Sequence, residues 1–207
     1  LSGWLVKKHW FDKEIARLQS IYAAQQAAKG VKYPKPSKKV LHLHERRRLV
    51  QRDFLHKSAR FLVNYCVTHN LHTIILGDWT KIRENPGGTP KNWGRKKNAK
   101  LHAFPFKQFR EILAYKCALA GIRLIVRSEA YTSQCPPDSL GISKKFAAKT
   151  KREHRGLFVH DGVRYNADSV GAFNILRKFL LDEAKELKLP TKEELFSLRS
   201  PERKWVA

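Results

Sequence analysis

Ile122-Arg123-Leu124-Ile125-Val126 runs into Arg127-Ser128-Glu129-Ala130-Tyr131-Thr132-Ser133, and this stretch decides the fold. A short apolar, β-branched run reads as a buried strand, and here a carboxylate closes it. Upstream, Gly121 stops a helix predicted over about 105–120, which Pro105 opens and which carries Phe106, Phe109, Ile112 and Leu113 on one face. A second apolar run, His72-Thr73-Ile74-Ile75-Leu76, precedes that helix and ends at Gly77-Asp78. Downstream, Asn166-Ala167-Asp168-Ser169-Val170-Gly171-Ala172-Phe173-Asn174-Ile175-Leu176 opens a final helix predicted from near Asp168 to about Lys188. Strand, helix, strand, insert and helix make an α/β arrangement. In such sheets, sites gather at the C-terminal ends of strands, where Asp78 and Glu129 both fall.

The flanks read less regularly. Residues 1–11 alternate loosely through Trp4, Leu5, Val6, Trp10 and Phe11, which predicts a strand or hairpin remnant. A helix is expected from Asp12, its N-cap, to Ala28, with Ile15, Leu18, Ile21 and Tyr22 on one face. Residues 29–39 read as a basic linker with two prolines, and a long helix follows over about 41–69. Residues 134–164 read as an irregular basic insert, and the end of the chain as a polar tail. There is no internal repeat.

Composition limits the partners. The chain has 207 residues, and its 42 Lys and Arg against 18 Asp and Glu give a formal charge of +24. Its pI is near 10.3. That excess points to a polyanion, most often nucleic acid. No apolar run approaches the ~20 residues that span a bilayer, and no signal-peptide pattern is present, so no membrane role is expected. Three scattered cysteines, Cys66, Cys117 and Cys135, do not make a disulfide framework; they imply a reducing, cytoplasmic setting. The chain begins at Leu1 and contains no Met, so residue 1 is not expected to be the original N-terminus.

Carboxylates in so cationic a chain suggest divalent-metal chemistry on a phosphate backbone. Each also has a plainer reading. Asp168 is a metal ligand or a helix N-cap, Glu129 a ligand or a solvated strand end, and Asp78 a ligand or part of a Gly-Asp turn. Arg83, Lys91, Arg95, Lys96, Lys97 and Lys100 share a loop with Trp93, which suits phosphate contact and base stacking. Lys144, Lys145, Lys151, Arg152 and Arg155 form a second cationic set in the insert. His56-Lys57 offers acid–base groups or structural ones. Cys66 and Cys117 read as buried thiols.

Several ordered strings go further: Asp53-Phe54-Leu55-His56-Lys57, Ile74 to Asp78, Tyr115-Lys116 with Ala120-Gly121-Ile122, Glu129 to Ser133, Arg155-Gly156-Leu157-Phe158, and Asn166 through Lys178. Together they resemble the C-terminal part of the TnpB (OrfB) proteins of insertion sequences, relatives of type V CRISPR effectors. The resemblance implies an RNase H-like (RuvC) fold with a basic subdomain inserted between the second and third site motifs. It divides the chain into an N-terminal remnant and linker (1–40), a RuvC-like core (41–133), a degenerate zinc-ribbon-like insert (134–164), a closing helix (165–190) and a polar tail (191–207).

The family site uses three carboxylates to hold two Mg²⁺ ions. By resemblance Asp168 is the third acid. The middle acid in many members directly follows the strand that here ends at Leu76, where this chain has Gly77; in a subset it precedes the Tyr-Thr-Ser string, which falls on Glu129. Glu129 is therefore expected as the second ligand, with Asp78 as substitute. The first acid has no match, since Asp12 sits in a helix-start context: either an upstream segment or a second protein supplies it, or the site is incomplete. Many members carry a four-cysteine zinc ribbon, whereas the knuckle positions here read Cys135-Pro136-Pro137-Asp138 and Phe158-Val159-His160-Asp161-Gly162. Cys135, His160 and Asp161 are a poor replacement, and no zinc is expected. Guide RNA and target DNA are the implied partners, and Mg²⁺-dependent DNA cleavage the implied activity. The alternative is a nuclease-inactive or truncated relative that binds guide RNA or DNA.

Overall fold

The computed structural model describes residues 2–78, 94, 104–147, 156–184 and 189–202. In order they form α1 (Ser2–Ala27), α2 (Lys38–Thr68), β1 (Thr73–Asp78), α3 (Phe106–Leu119), β2 (Arg123–Ser128), a 3₁₀ turn (Lys144–Phe146), β3 (Leu157–His160), β4 (Val163–Asn166), α4 (Ala167–Ala184) and α5 (Lys192–Ser197). The α/β class expected from the sequence is what these elements form. They fall into two compact units, dividing after Tyr65 and after Lys116.

The first unit is helical. The strand expected over residues 1–11 is instead the first part of α1. Trp4, Phe11 and Ile15 are buried while Leu5, Val6 and Trp10 are exposed. That set repeats with the period of a helix, not of a strand, and the alternation was incidental. Asp12 accordingly lies inside α1 and caps nothing. Its carboxylate meets Lys8 at 2.5 Å and Arg47 of α2 at 2.7 Å. Phe11, Ile15 and Val40 form the local core, with Leu18, Leu43 and Val50 against it. Ser37 Oγ accepts the Val40 N–H at 3.3 Å, which caps α2 directly after the proline-containing linker.

The second unit carries two sheets and α4. β1 and β2 pair in parallel, with Leu76 opposite Val126 and Asp78 opposite Ser128. Both strands are entered through αL helix ends: Asn70 has φ 54° and Gly121 φ 68°. The Leu71 N–H reaches Cys66 O at 2.8 Å and the Ile122 N–H reaches Cys117 O at 2.9 Å, which is the Schellman arrangement. β3 and β4 form an antiparallel hairpin. Its turn is Asp161-Gly162, with φ of 49° and 72°, as a two-residue type I′ turn requires. The insert expected to be irregular thus ends in regular structure. α4 packs on both sheets.

The expected polar tail also forms structure. Thr191 and Glu194 make a reciprocal capping box at the start of α5. Leu198, just beyond it, is buried with Phe158, Tyr165, Ala167 and Val170. The Asn166 N–H donates to Leu198 O at 2.9 Å, tying this segment to the start of α4. No helix among the described residues is long and apolar enough to cross a membrane.

Candidate functional site

The site builds up from the C-terminal end of the parallel pair. Glu129 directly follows β2, and Gly77 is the penultimate residue of β1. A Cβ placed on Gly77 would overlap Cγ, Cδ and Oε1 of Glu129. The Glu129 carboxylate therefore occupies space that a side chain at position 77 would need, crossing from one strand to its neighbour. Asp78, beside Ser128 in the register, ends β1 at the same edge.

Glu129 is held by its own turn. Its carbonyl accepts the Thr132 N–H at 3.2 Å and the Thr132 hydroxyl at 2.9 Å. Tyr131 within that turn has φ 66°. α4 then grips the loop that follows. Asn174, fully buried, donates from Nδ2 to Thr132 O at 2.9 Å and to Cys135 O at 2.8 Å. Arg177, also buried, donates to Asn174 Oδ1 at 3.0 Å, to Pro136 O at 3.4 Å and to Ser139 O. Lys178 Nζ donates to Ala130 O at 3.4 Å. Burial lowers the Arg177 pKa, against the pull of Asp138 and Cys135. An arginine stays charged in any protein setting, so this is a fixed cation satisfied largely by carbonyls.

Sequence reading gave Asn174 and Arg177 no role. Their signal lay in α4 itself: both fall on the face of buried Ala167 and Val170, at helical spacing from them. A polar pair on an apolar stripe implies buried hydrogen-bond partners.

Asp168 sits in the first turn of α4 and is exposed. It is not the cap. Asn166 Oδ1 accepts the N–H groups of Asp168 at 3.0 Å and Ser169 at 3.1 Å. The cap reading of Asp168 therefore gives way to Asn166, and the carboxylate is not spent on the helix end. Asn174, Arg177 and Lys178 of α4 each tie to the loop after Glu129. Asp168 precedes Asn174 by two turns or less, roughly 9 Å along the axis.

His56 Nδ1 lies 3.2 Å from the Tyr115 hydroxyl. Burial, then Lys116 and Arg52, lowers its pKa. Lys57 pairs with Asp53 at 3.4 Å. Both residues of this pair have structural partners within the first unit. Lys144 and Lys145 are exposed on the 3₁₀ turn, with Lys145 over the Phe146 ring. Arg83, Lys91, Trp93, Arg95, Lys96, Lys97, Lys100, Lys151, Arg152 and Arg155 lie outside the described residues.

The knuckle positions do not assemble as their sequence suggests. Cys135 is buried and its thiol points to Ser143 O at 3.4 Å; burial raises its pKa. Asp138 takes its place beside the hairpin turn, where ligand atoms of Asp138, His160 and Asp161 lie within 4.8 Å of one another. His160 Nε2 is 3.3 Å from Asp138 and 3.4 Å from Asp161. One imidazole and two carboxylates, with no thiolate, do not fit a structural zinc ribbon.

Two family models match the chain. One, described as a probable transposase of the OrfB type, covers residues 5–83, and the other, the Cas12f1-like TNB domain, covers residues 106–175. Each covers less than half of the chain, and together they support a likeness to the TnpB (OrfB) family. A solved structure, described as the cryo-EM structure of the Cas12f1–sgRNA–target DNA complex, is similar in fold with a TM-score of 0.54 and 15% identity. The match covers 81% of this chain and 40% of that one, so the chain spans well under half the length of this relative. No curated protein matches the chain. Gly77 and Asp78 fall in the segment matched by the first model, and Glu129 and Asp168 in the segment matched by the second.

Proposed function

We propose that this chain is the RuvC-like, RNase H-type nuclease portion of a TnpB-type RNA-guided DNA endonuclease, with a basic subdomain inserted between its second and third site motifs. The seat of the Glu129 carboxylate over Gly77 carries the reading. A family site that lacks its middle acid on β1 needs a carboxylate delivered to that place from elsewhere, and β2 delivers one. Glu129 and Asp168, with Asp78 as substitute, are the residues that would hold Mg²⁺; hard carboxylate oxygens suit that ion. When bound, paired Mg²⁺ ions activate water and stabilise the leaving oxygen of a phosphodiester displacement.

The remaining work belongs to the chain. Asn174 and Arg177 hold the loop after Glu129 against α4, which fixes the carboxylate's strand end. Lys144 and Lys145, with the basic loop residues, hold nucleic acid by phosphate contact, while base pairing with a guide reads the sequence. Asp12 is engaged by Lys8 and Arg47, and an upstream segment or a second protein is proposed as the source of the first acid. The Cas12f1 relative was solved with guide RNA and target DNA, and the same two partners are proposed here.

The test is Mg²⁺-dependent cleavage of a labelled single strand and a guide-matched duplex, using the chain with its co-purifying RNA. Cleavage lost in Asp168→Ala and in Glu129→Gln, with RNA retained, is the expected result. RNA retention with no cleavage by the parent chain, even when an upstream family segment is added, would leave a nucleic-acid-binding protein only.

A further inference from the structure

An open groove of about 440 Å³ lies between the middle of α1 and the first turns of α2, within the helical unit. Trp10, Leu18 and Leu43 give it an apolar lining, and His42 and the two exposed lysines Lys38 and Lys39 border it. Glu14 also lines it, but its carboxylate is already held by Arg17 through hydrogen bonds of 2.9 and 2.6 Å. Trp10 is 53% exposed, an unusual fate for an indole beside a core, and Phe11 steadies its ring edge-on at 4.9 Å. The groove borders the first turn of α2, where the helix dipole adds positive character to that of Lys38 and Lys39.

A flat apolar face beside clustered positive charge matches a nucleotide, which joins a π-surface to an anion. The volume suits one small organic unit and not a helix or a duplex. We propose that this groove seats one unpaired nucleotide of the guide RNA, its base stacked on Trp10 and its phosphate between Lys38 and Lys39. Only the identity of the strand rests on the RNA-guided reading above. The helical unit contains none of Glu129, Asp168 and Asp78. Tyr33, 93% exposed between Lys32 and Lys35, offers a second aromatic in the linker that leads into α2.

The full chain is titrated with a short unpaired oligoribonucleotide carrying 2-aminopurine, without Mg²⁺, while indole emission is followed. Because the chain has five tryptophans, the Trp10 component is the difference between the parent and Trp10→Phe. Expected are quenching of that component, an affinity about tenfold weaker in Trp10→Ala, and a smaller loss in Trp10→Phe. Joint Lys38→Ala and Lys39→Ala replacement lowers the slope of log affinity against log salt by about 1.4. Duplex RNA of the same sequence, its bases already stacked and paired, shows no Trp10-dependent binding.

Parent-like RNA affinity in Trp10→Ala, or an unmoved Trp10 component, overturns the proposal. Trp10-dependent binding of single-stranded DNA alone overturns the assignment to a guide. Should Trp10→Ala not fold, the lysine pair on the surface decides through its salt slope. Since no cleavage is read, a dead carboxylate site leaves these outcomes unchanged, and failure here leaves that site's own test intact.

Discussion

The Glu129 side chain lies across Gly77 on the neighbouring strand, in space that no other residue type at 77 would leave open. Position and carboxylate are thereby linked: the glycine on β1 and the acid after β2 form one device.

Gly77→Ala should abolish DNA cleavage while lowering stability only modestly, because the new methyl displaces a polar side chain at a strand end and not a core residue. Moving the acid should restore function. The double variant Gly77→Glu with Glu129→Ala should recover part of the cleavage lost in Glu129→Ala alone, since the carboxylate then rises from β1 into the same space. Gel-based cleavage with matched guide and target reads both. A double variant as inactive as Glu129→Ala would mean that the carboxylate over Gly77 is not the one the reaction uses.

Asn174 is the buried hinge pin of the loop after Glu129. Removing its amide leaves the carbonyls of Thr132 and Cys135 without their donors, and each such loss costs about 1–3 kcal/mol. Asn174→Ala should therefore lower Tm by several degrees and reduce cleavage, with RNA affinity unchanged. Asn174→Ala with parent-like Tm in thermal circular dichroism would remove Asn174 from this role.

Much of this architecture was legible where local chemistry and periodicity agreed. Ile74 to Leu76 and Ile122 to Val126 read as strands because both are β-branched and end at turn residues, and the structure pairs them in parallel. The Asp161-Gly162 turn was legible too, yet the surrounding charge hid it behind a reading of irregular structure. Trp4 and Phe11 misled because aromatic residues seven apart suit a helix while their exposed neighbours imitate alternation. The seat of Glu129 over Gly77 follows from strand register, and the grip of Arg177 on Pro136 and Ser139 from tertiary packing. Neither is written in local sequence.

Asp12 ties α1 to α2 through Arg47, and its titration has a definite sign. Burial pushes its carboxyl pKa up, but Lys8 and Arg47 outweigh that and hold it below the ordinary value. A folded value below the unfolded one, about 3.9, means the stabilisation is present above that pH. It is lost as pH falls through the folded value. Both partners are about one-third exposed, so solvent screening limits the pair to about 1 kcal/mol or less. Asp12→Asn should lower Tm slightly at pH 7, and the difference from the parent should shrink as pH falls below the unfolded carboxyl value of about 3.9. A difference that persists undiminished in acid would assign the loss to packing and not to the ion pair.

The hairpin region should hold its shape without zinc. Cys135 spends its thiol on Ser143 O, and its pKa is raised by burial, which disfavours the thiolate it would need as a zinc ligand. The contacts that close this region are instead the Asp161-Gly162 turn, the buried Leu198 and the Arg177 bonds to Pro136 and Ser139. Purified chain should carry far less than one zinc per molecule by elemental analysis, and a strong chelator should leave its Tm unchanged. His160→Ala should then cost only two partly exposed polar contacts, to Asp138 and Asp161, about 1 kcal/mol or less. Stoichiometric zinc that disappears in His160→Ala, together with a chelator-sensitive Tm, would instead make Asp138, His160 and Asp161 a metal site.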